Sequence, residues 1–356
     1  MRIGMHGGNL SLLAPEFGYR PEQLLDFSVN LNPLGPPEWM AALLAEAVSD
    51  LGRYPDPTSE TLRSAIAFSH GVATQGVVVA NGSTELIQWL PRIMPNPRAI
   101  IFAPTFTEYA RAVESAQGQV FYSLALKKES LENGLDLAFI CNPNNPTGAV
   151  ISKPELLSWL DDFEGHYPEA IAVVDESFLP FVPDQENISL AEETKTRPRL
   201  VVLRSLTKIF GVPGLRIGYC LSSPELADTL REIMPLWSVN AFAQKFAFRA
   251  LKDLEYLKAA PKHCARLRRH LELSLGAVPE IKIYPSEVNF LLIKLTDPAL
   301  GADQLVRECG RRGVVLRNCN DFYGLRPDRF VRVAVKKEED HQVLAKTWKE
   351  VVSDVG

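Results

Sequence analysis

The sequence holds little cysteine and places it in no pattern. Cys141, Cys220, Cys264, Cys309 and Cys319 are odd in number and scattered, with no Cys-x-x-Cys pair and no Cys/His ligand spacing. That argues against a disulfide framework and against structural zinc, and it fits a reducing compartment. Long apolar runs are missing as well. No stretch approaches the roughly 18–20 residues that a membrane helix needs, and the opening MRIGMHGGNL lacks the apolar region of a secretory leader. A cytoplasmic location without a membrane partner is therefore expected. Excess positive charge is absent too. With a net charge of −5, nothing draws the whole chain to nucleic acid, and an anionic substrate would need a local arginine cluster. Repeats and low-complexity segments are also lacking.

What is present is an ordinary globular composition. The chain has 356 residues, 46% hydrophobic and 23% charged, enough for a sizeable core and two or more domains. Residues 1–35 are irregular and rich in Gly, Pro and Asn. A helix is predicted at about 37–50, and RYPDPTSETLRSAIA enters a second with Thr58 or Ser59 as its cap. Apolar runs then alternate with helical patterns: GVVVA (76–80), AIIFA (99–103), LAFIC (137–141), AIAVVD (170–175) and LVVLRS (200–205). Such alternation implies an α/β domain with a mostly parallel sheet and helices on both faces. After Ser223 the texture changes. A long helical stretch at about 240–277 precedes short strands and two more helices, as in a smaller α+β C-terminal domain. The expected division is an N-terminal segment (1–35), a large domain (36–240), and a connecting helix with the small domain (241–356). The basic run KHCARLRRH (262–270) reads as a solvated helix face.

Four polar clusters fall where strands end, the place where open α/β sheets bind ligands. In ANGSTE (80–85), Gly82, Ser83 and Thr84 can offer N–H groups and hydroxyls to a phosphate, although Ser or Thr there is more often simply a helix cap. In CNPNNPTG (141–148), two prolines and a glycine build a rigid turn that holds Asn142 and Asn145 in fixed orientations. In VVDES (173–177), Asp175 ends an apolar strand and wants a cation or a hydrogen-bond donor. No histidine and only the adjacent Glu176 accompany it, so no metal site is expected. In SLTKIFGVPGLRIGY (205–219), Lys208 sits among Leu206, Ile209, Phe210, Val212 and Leu215. A lysine in an apolar pocket near other cations has a lowered pKa and attacks aldehydes well; a lysine that snorkels to solvent is the plainer alternative. Together the clusters match the needs of one cofactor, pyridoxal 5′-phosphate: a phosphate cradle, a fixed amide, an acid for the pyridine nitrogen and an amine for the aldehyde.

The order G-S-T, N-P-x-N-P-T-G, D-E-x-F, S-x-x-K and a later Arg, over roughly residues 25–340, resembles the fold-type I pyridoxal-phosphate enzymes of the aminotransferase class I/II superfamily. The resemblance implies that fold, with Lys208 as the Schiff-base lysine and Asp175 as partner of the pyridine nitrogen. It implies Asn145 at the cofactor's phenolic oxygen, and Ser83, Thr84, Ser205 and Arg216 around its phosphate. Phe106 would stack on the ring with Tyr109 close by. Tyr54 of RYPDP would reach the phosphate of a neighbouring subunit's cofactor, which implies a homodimer with shared sites. Arg332 looks like the clamp for a substrate α-carboxylate, a task suited to a bidentate guanidinium.

HGGN (6–9) followed by LLDFSVNLNPLGPP (24–37) is similar, within the superfamily, to the L-threonine-O-3-phosphate decarboxylases of cobalamin synthesis. The histidinol-phosphate aminotransferases come next. Carried over, His6, Gly7 and Asn30 would line the substrate site, and Arg317 would bind the phosphate of a small phosphorylated amino acid beside Arg332. One position departs: relatives often read D-E-x-Y, where this sequence has Phe178. The lost hydroxyl leans mildly away from transamination. The expected activity is decarboxylation of threonine phosphate, with transamination as the alternative. A non-catalytic sensor of this fold is the third reading. Regulators of that kind add a basic DNA-binding domain ahead of the fold, whereas site motifs stand here from the first residues.

Overall fold

A computed structural model describes residues 7–127 and 134–355. The first strand, β1 (Leu25–Asp26), is followed by β2 (Val77–Ala80), β3 (Arg98–Phe102), β4 (Gln119–Ser123), β5 (Leu137–Cys141), β6 (Ile171–Asp175), β7 (Leu200–Ser205) and β8 (Gly218–Leu221). The C-terminal part adds β9 (Ile281–Ile283), β10 (Phe290–Leu295), β11 (Val314–Val315), β12 (Arg317–Asn318) and β13 (Phe330–Ala334). A seven-stranded sheet has the order β2-β8-β7-β6-β5-β3-β4, and a four-stranded one the order β12-β13-β10-β9.

Every residue of β5, β6 and β7 is buried, because helices cover both faces of these parallel central strands. Alternate residues serve opposite faces: Val173 and Leu203 pack on one side, Val174 and Val202 on the other. In the large sheet six strands run the same way; β8 alone is antiparallel to both neighbours, β2 and β7.

Three details differ from the sequence-based expectation. Ser59 stands before the helix Glu60–His70, but its side chain does not cap it. The Asp56 carboxylate does so, accepting from the Glu60 N–H at 2.8 Å. The stretch 240–277 is two helices, Ala241–Ala250 and Leu254–Leu275. Asp253 starts the second by accepting from the Tyr256 N–H, a new N-cap inside a continuous apolar pattern. Two strands, β4 and β8, carry no apolar run: β4 is a half-exposed edge strand and β8 opens on glycine.

The N-terminal segment joins the small domain. β1 pairs in parallel with β11, and the Phe27 carbonyl accepts from the Ala334 N–H at 2.9 Å. Lys262, Arg266 and Arg269 of the basic run are exposed on the helix Leu254–Leu275, while Cys264 and Leu267 point inward. Among the described residues no helix is long and apolar enough to cross a membrane.

A Cβ at Gly218 would fall 2.4 Å from the Ser83 nitrogen. Gly218→Val should therefore lower stability by about 1–3 kcal/mol, the usual range for forced overpacking, read as a reduced urea midpoint. An unchanged midpoint would contradict this account of the close approach.

Candidate active site

The co-directional strands of the large sheet deliver their following loops to one sheet edge: residues 81–84 after β2, 103–106 after β3, 142–148 after β5, 175–178 from β6 and 205–208 from β7. The reversed β8 starts at that edge instead. Its Gly218 pairs with Ala80 on one side and Ser205 on the other, so Arg216, two residues upstream, arrives among the same loops. Arg216 adopts a left-handed backbone with φ +57° and donates to the Pro213 carbonyl at 3.1 Å. Gly82 lets it approach: a Cβ there would meet Arg216 Nη2 at 2.2 Å. Gly82, and not Ser83, occupies the cap position of the helix Ser83–Trp89, and no side chain caps it. The hydroxyls of Ser83 and Thr84 are not spent on that duty.

A cavity of about 470 Å³ opens here, lined by Gly7, Asn30, Ser83, Thr84, Phe106, Tyr109, Asn145, Asp175, Ser205, Lys208, Arg216, Arg317 and Arg332, among others. Nearly every residue singled out from the sequence thus meets in one place. Two do not. His6 lies outside the described residues. Tyr54 is 83% exposed, stacked on Trp237 at 5.1 Å between ring centroids, and does not line this cavity. Asn142 also serves another purpose, since its side chain donates to the Ile151 carbonyl and accepts from the Ile151 N–H, closing the loop on itself.

Asp175 is buried at the end of β6. Its Oδ2 accepts from the Tyr109 hydroxyl at 2.7 Å, and its Oδ1 accepts from the Ser177 N–H at 2.9 Å. Burial and the neighbouring carboxylate push the Tyr109 phenol well above its ordinary 10.0, so it remains a donor. Tyr109 lies parallel to Phe139 at 4.9 Å and edge-on to Phe106 at 5.6 Å. Cys141 also faces the cavity. Burial and Asp175 push its thiol up to about 12, which keeps it protonated and unreactive. Ser205 and Thr207 share a buried hydroxyl–hydroxyl bond of 2.9 Å.

Lys208 is partly open to the cavity. Burial and the guanidinium groups of Arg332 and Arg216 bring it from 10.5 down to about 8, against the opposing pull of Asp175. Arg332 donates to Asn145 Oδ1 at 2.5 Å and to the Ser28 carbonyl at 2.8 Å. Burial and Arg317 lower it to about 10, so it stays charged at neutral pH. Arg332 and Arg317 are direct partners across β13 and β12. Like charges placed opposite each other are unfavourable, so the fold holds two cations together at one wall of the cavity.

The sequence reading missed Cys141, Ser177 and Phe322, which also line the cavity. Ser177 had a signal, its place two residues after Asp175. The others depend on spatial packing. Two buried polar atoms here have no partner, Asn30 Oδ1 and Arg332 Nε; buried polar groups normally have one, so both invite a polar ligand. Together with the cradle at Gly82 and a lysine with a lowered pKa, they fit a phosphorylated aldehyde cofactor and a polar substrate.

Comparison with known proteins agrees. The profile of the family described as aminotransferase class I and II matches residues 22–347. The chain is 32% identical over 364 residues to the threonine-phosphate decarboxylase of Salmonella typhimurium, covering 98% of this chain and 97% of that one. It is 31% identical over 358 residues to the adenosylcobalamin biosynthesis bifunctional protein CobDQ of Leptospira interrogans, covering 97% of this chain and spanning 40% of that protein's length. The crystal structure of the histidinol-phosphate aminotransferase from Clostridium acetobutylicum superposes with a TM-score of 0.85 at 28% identity, covering 93% of this chain and 100% of that one.

A lysine at about 8 is uncharged in about a tenth of molecules at pH 7 and in most above pH 9. The rate at which an aldehyde followed by borohydride labels Lys208 in the cofactor-free protein should rise through pH 8 and then level off. A rise centred near 10.5 would show that the site does not lower this amine.

Proposed function

The chain belongs to the aminotransferase class I and II family of pyridoxal-phosphate enzymes, and on that premise we propose that it decarboxylates L-threonine O-3-phosphate. The products are (R)-1-amino-2-propanol O-2-phosphate and carbon dioxide, a step of cobalamin synthesis. The observation that carries this reading is the paired Arg317 and Arg332 at the wall of the Lys208 cavity. Two guanidinium groups side by side suit a substrate with two anionic groups, and threonine phosphate has a carboxylate and a phosphate. The acidic chain needs such a local reversal of charge. Full-length similarity to a threonine-phosphate decarboxylase supports it further.

In this reading Lys208 is the covalent anchor, and Ser83, Thr84, Ser205 and Arg216 hold the cofactor's phosphate. Phe106 would cover the ring of the bound cofactor. Asn145, which steadies Arg332, would meet its phenolic oxygen. When bound, the cofactor supplies an electron sink for the bond broken at the substrate's α-carbon. Asp175, fixed by the Tyr109 hydroxyl and the Ser177 N–H, would keep a proton on the pyridine nitrogen. Arg332 takes the α-carboxylate, Arg317 the phosphate, and Gly7, Asn30 and His6 close the substrate side. Held at a remote group, the substrate is turned so that the bond to its carboxylate is the one that breaks. Lys208 Nζ then returns a proton to the α-carbon.

The same reading assigns 1–35 to the substrate site, 36–240 to cofactor binding, and 241–356 to the connecting helix and small domain. It also makes the active form a homodimer. Tyr54, with the exposed Leu51, Leu236 and Trp237, forms an apolar face that a second copy would cover, and Tyr54 would then serve the partner's cofactor. A second reading, transamination of histidinol phosphate, is favoured by the 28% identity and fit to that enzyme's structure. Against it, Phe178 lines the cavity and brings no hydroxyl to it.

Incubation with threonine phosphate should release carbon dioxide. Consumption of 2-oxoglutarate with histidinol phosphate, without gas release, would overturn the proposal. Lys208→Ala should abolish the visible absorbance of the bound cofactor; a persistent band would remove Lys208 from the anchor role. Arg317→Ala should raise KM roughly ten- to hundredfold for phosphorylated substrate while sparing plain threonine. An equal loss on both would argue against a phosphate-binding role.

A further inference from the structure

Arg317 is held more firmly than a surface arginine. Its Nη2 donates to both carboxylate oxygens of Asp321, at 2.8 and 2.7 Å, and its Nη1 donates to the Asn318 carbonyl. The guanidinium carbon lies 5.1 Å from the centre of the Phe322 ring. Arg317 and Phe322 line the cavity and Asp321 does not. The carboxylate therefore reaches the guanidinium from outside the cavity.

The loop that carries Asp321 is fixed at both ends. On one side, Asn320 donates to Asp303 Oδ1 at 3.0 Å, at the start of the helix Ala302–Arg311. On the other, Tyr323 stacks on Tyr122 of β4, with ring centroids 4.0 Å apart and planes 9° from parallel. Asp321 thus stands on a braced loop that spans from the small domain to the edge of the large sheet.

We propose that Asp321 is a positioning residue that sets Arg317 to receive the phosphate of the substrate, an inference that rests on the phosphate-binding reading of Arg317 above. A buried guanidinium opposite Arg332 would otherwise turn away from its like-charged neighbour. A flexible arginine would also lose rotamer freedom on binding. Asp321 offsets the repulsion and removes part of that loss before the substrate arrives. It also bears a negative charge. Because it sits behind the guanidinium, a phosphate in the cavity meets the cation first, and the nearer charge dominates.

The test uses the cofactor-loaded enzyme. L-threonine O-phosphate, histidinol phosphate and plain L-threonine are each titrated while the cofactor's absorbance is followed. D321A should weaken both phosphorylated ligands about tenfold, as expected for loss of support to one charge-assisted contact, and leave plain threonine unchanged. D321N keeps one acceptor oxygen and should restore part of the loss; it also serves alone if D321A does not fold. Unchanged or tighter binding of the phosphorylated ligands would overturn the proposal, the second result marking Asp321 as a competitor of the substrate. Equal weakening of plain threonine would overturn it too, as a general structural effect. If the wild type binds only histidinol phosphate and D321A weakens it, the decarboxylase reading falls while the role of Asp321 stands. If the wild type binds neither phosphorylated ligand, both fall.

Discussion

The site depends on keeping the Lys208 amine at the margin of protonation. Burial alone would lower it, and Arg332 and Arg216 push in the same direction while Asp175 opposes them. A lysine at about 8 is still easily loaded with a proton and easily relieved of it at neutral pH. That balance needs two cations and one anion at fixed places, and the rest of the cavity supplies the fixing. Asn145 and the Ser28 carbonyl pin Arg332, the Pro213 carbonyl pins Arg216, and Tyr109 with the Ser177 N–H pins Asp175.

These groups lie far apart in sequence, and the sheet brings them together. Co-directional strands put five loops at one edge, and a single reversed strand adds the arginine that precedes it. Close approach is then possible only where glycine stands, at Gly82 beside Arg216 and at Gly218 beside Ser83. Gly7 plays a similar part on the substrate side: a Cβ there would lie 2.2 Å from the Ser28 carbonyl oxygen, so the glycine lets the chain at residue 7 lie against Ser28, whose carbonyl holds Arg332. The small domain contributes the other wall. β12 and β13 place Arg317 and Arg332 opposite each other, and the N-terminal segment is tied to it through β1 and β11.

Much of this was legible in the sequence, for physical reasons that differ by element. β5, β6 and β7 are buried on both faces, so each is an apolar run that nothing else explains. Asp175 and Lys208 were conspicuous as charged groups at the ends of such runs. β8 was not legible, since four residues beginning with glycine have no periodicity, and the reason Arg216 reaches the site therefore stayed hidden. The edge strand β4 is half exposed and lacked a signal for the opposite reason. The break at Asp253 was visible only as a single capping residue in a helical pattern. Asp321 had a faint sign, four residues beyond Arg317, but its carboxylate could have faced solvent equally well; the loop braced by Asn320 and Tyr323 decides the matter. Tyr54 lies outside the cavity of its own chain, and only the resemblance, not a pattern of burial or charge, linked it to a site.

The most direct measurement is a crystal structure of the cofactor-loaded protein. It should show continuous density from Lys208 Nζ to the cofactor and a carboxylate oxygen of Asp175 within hydrogen-bonding distance of the pyridine nitrogen. A cofactor bound elsewhere, or a free Lys208 with Asp175 turned from the ring, would contradict the account.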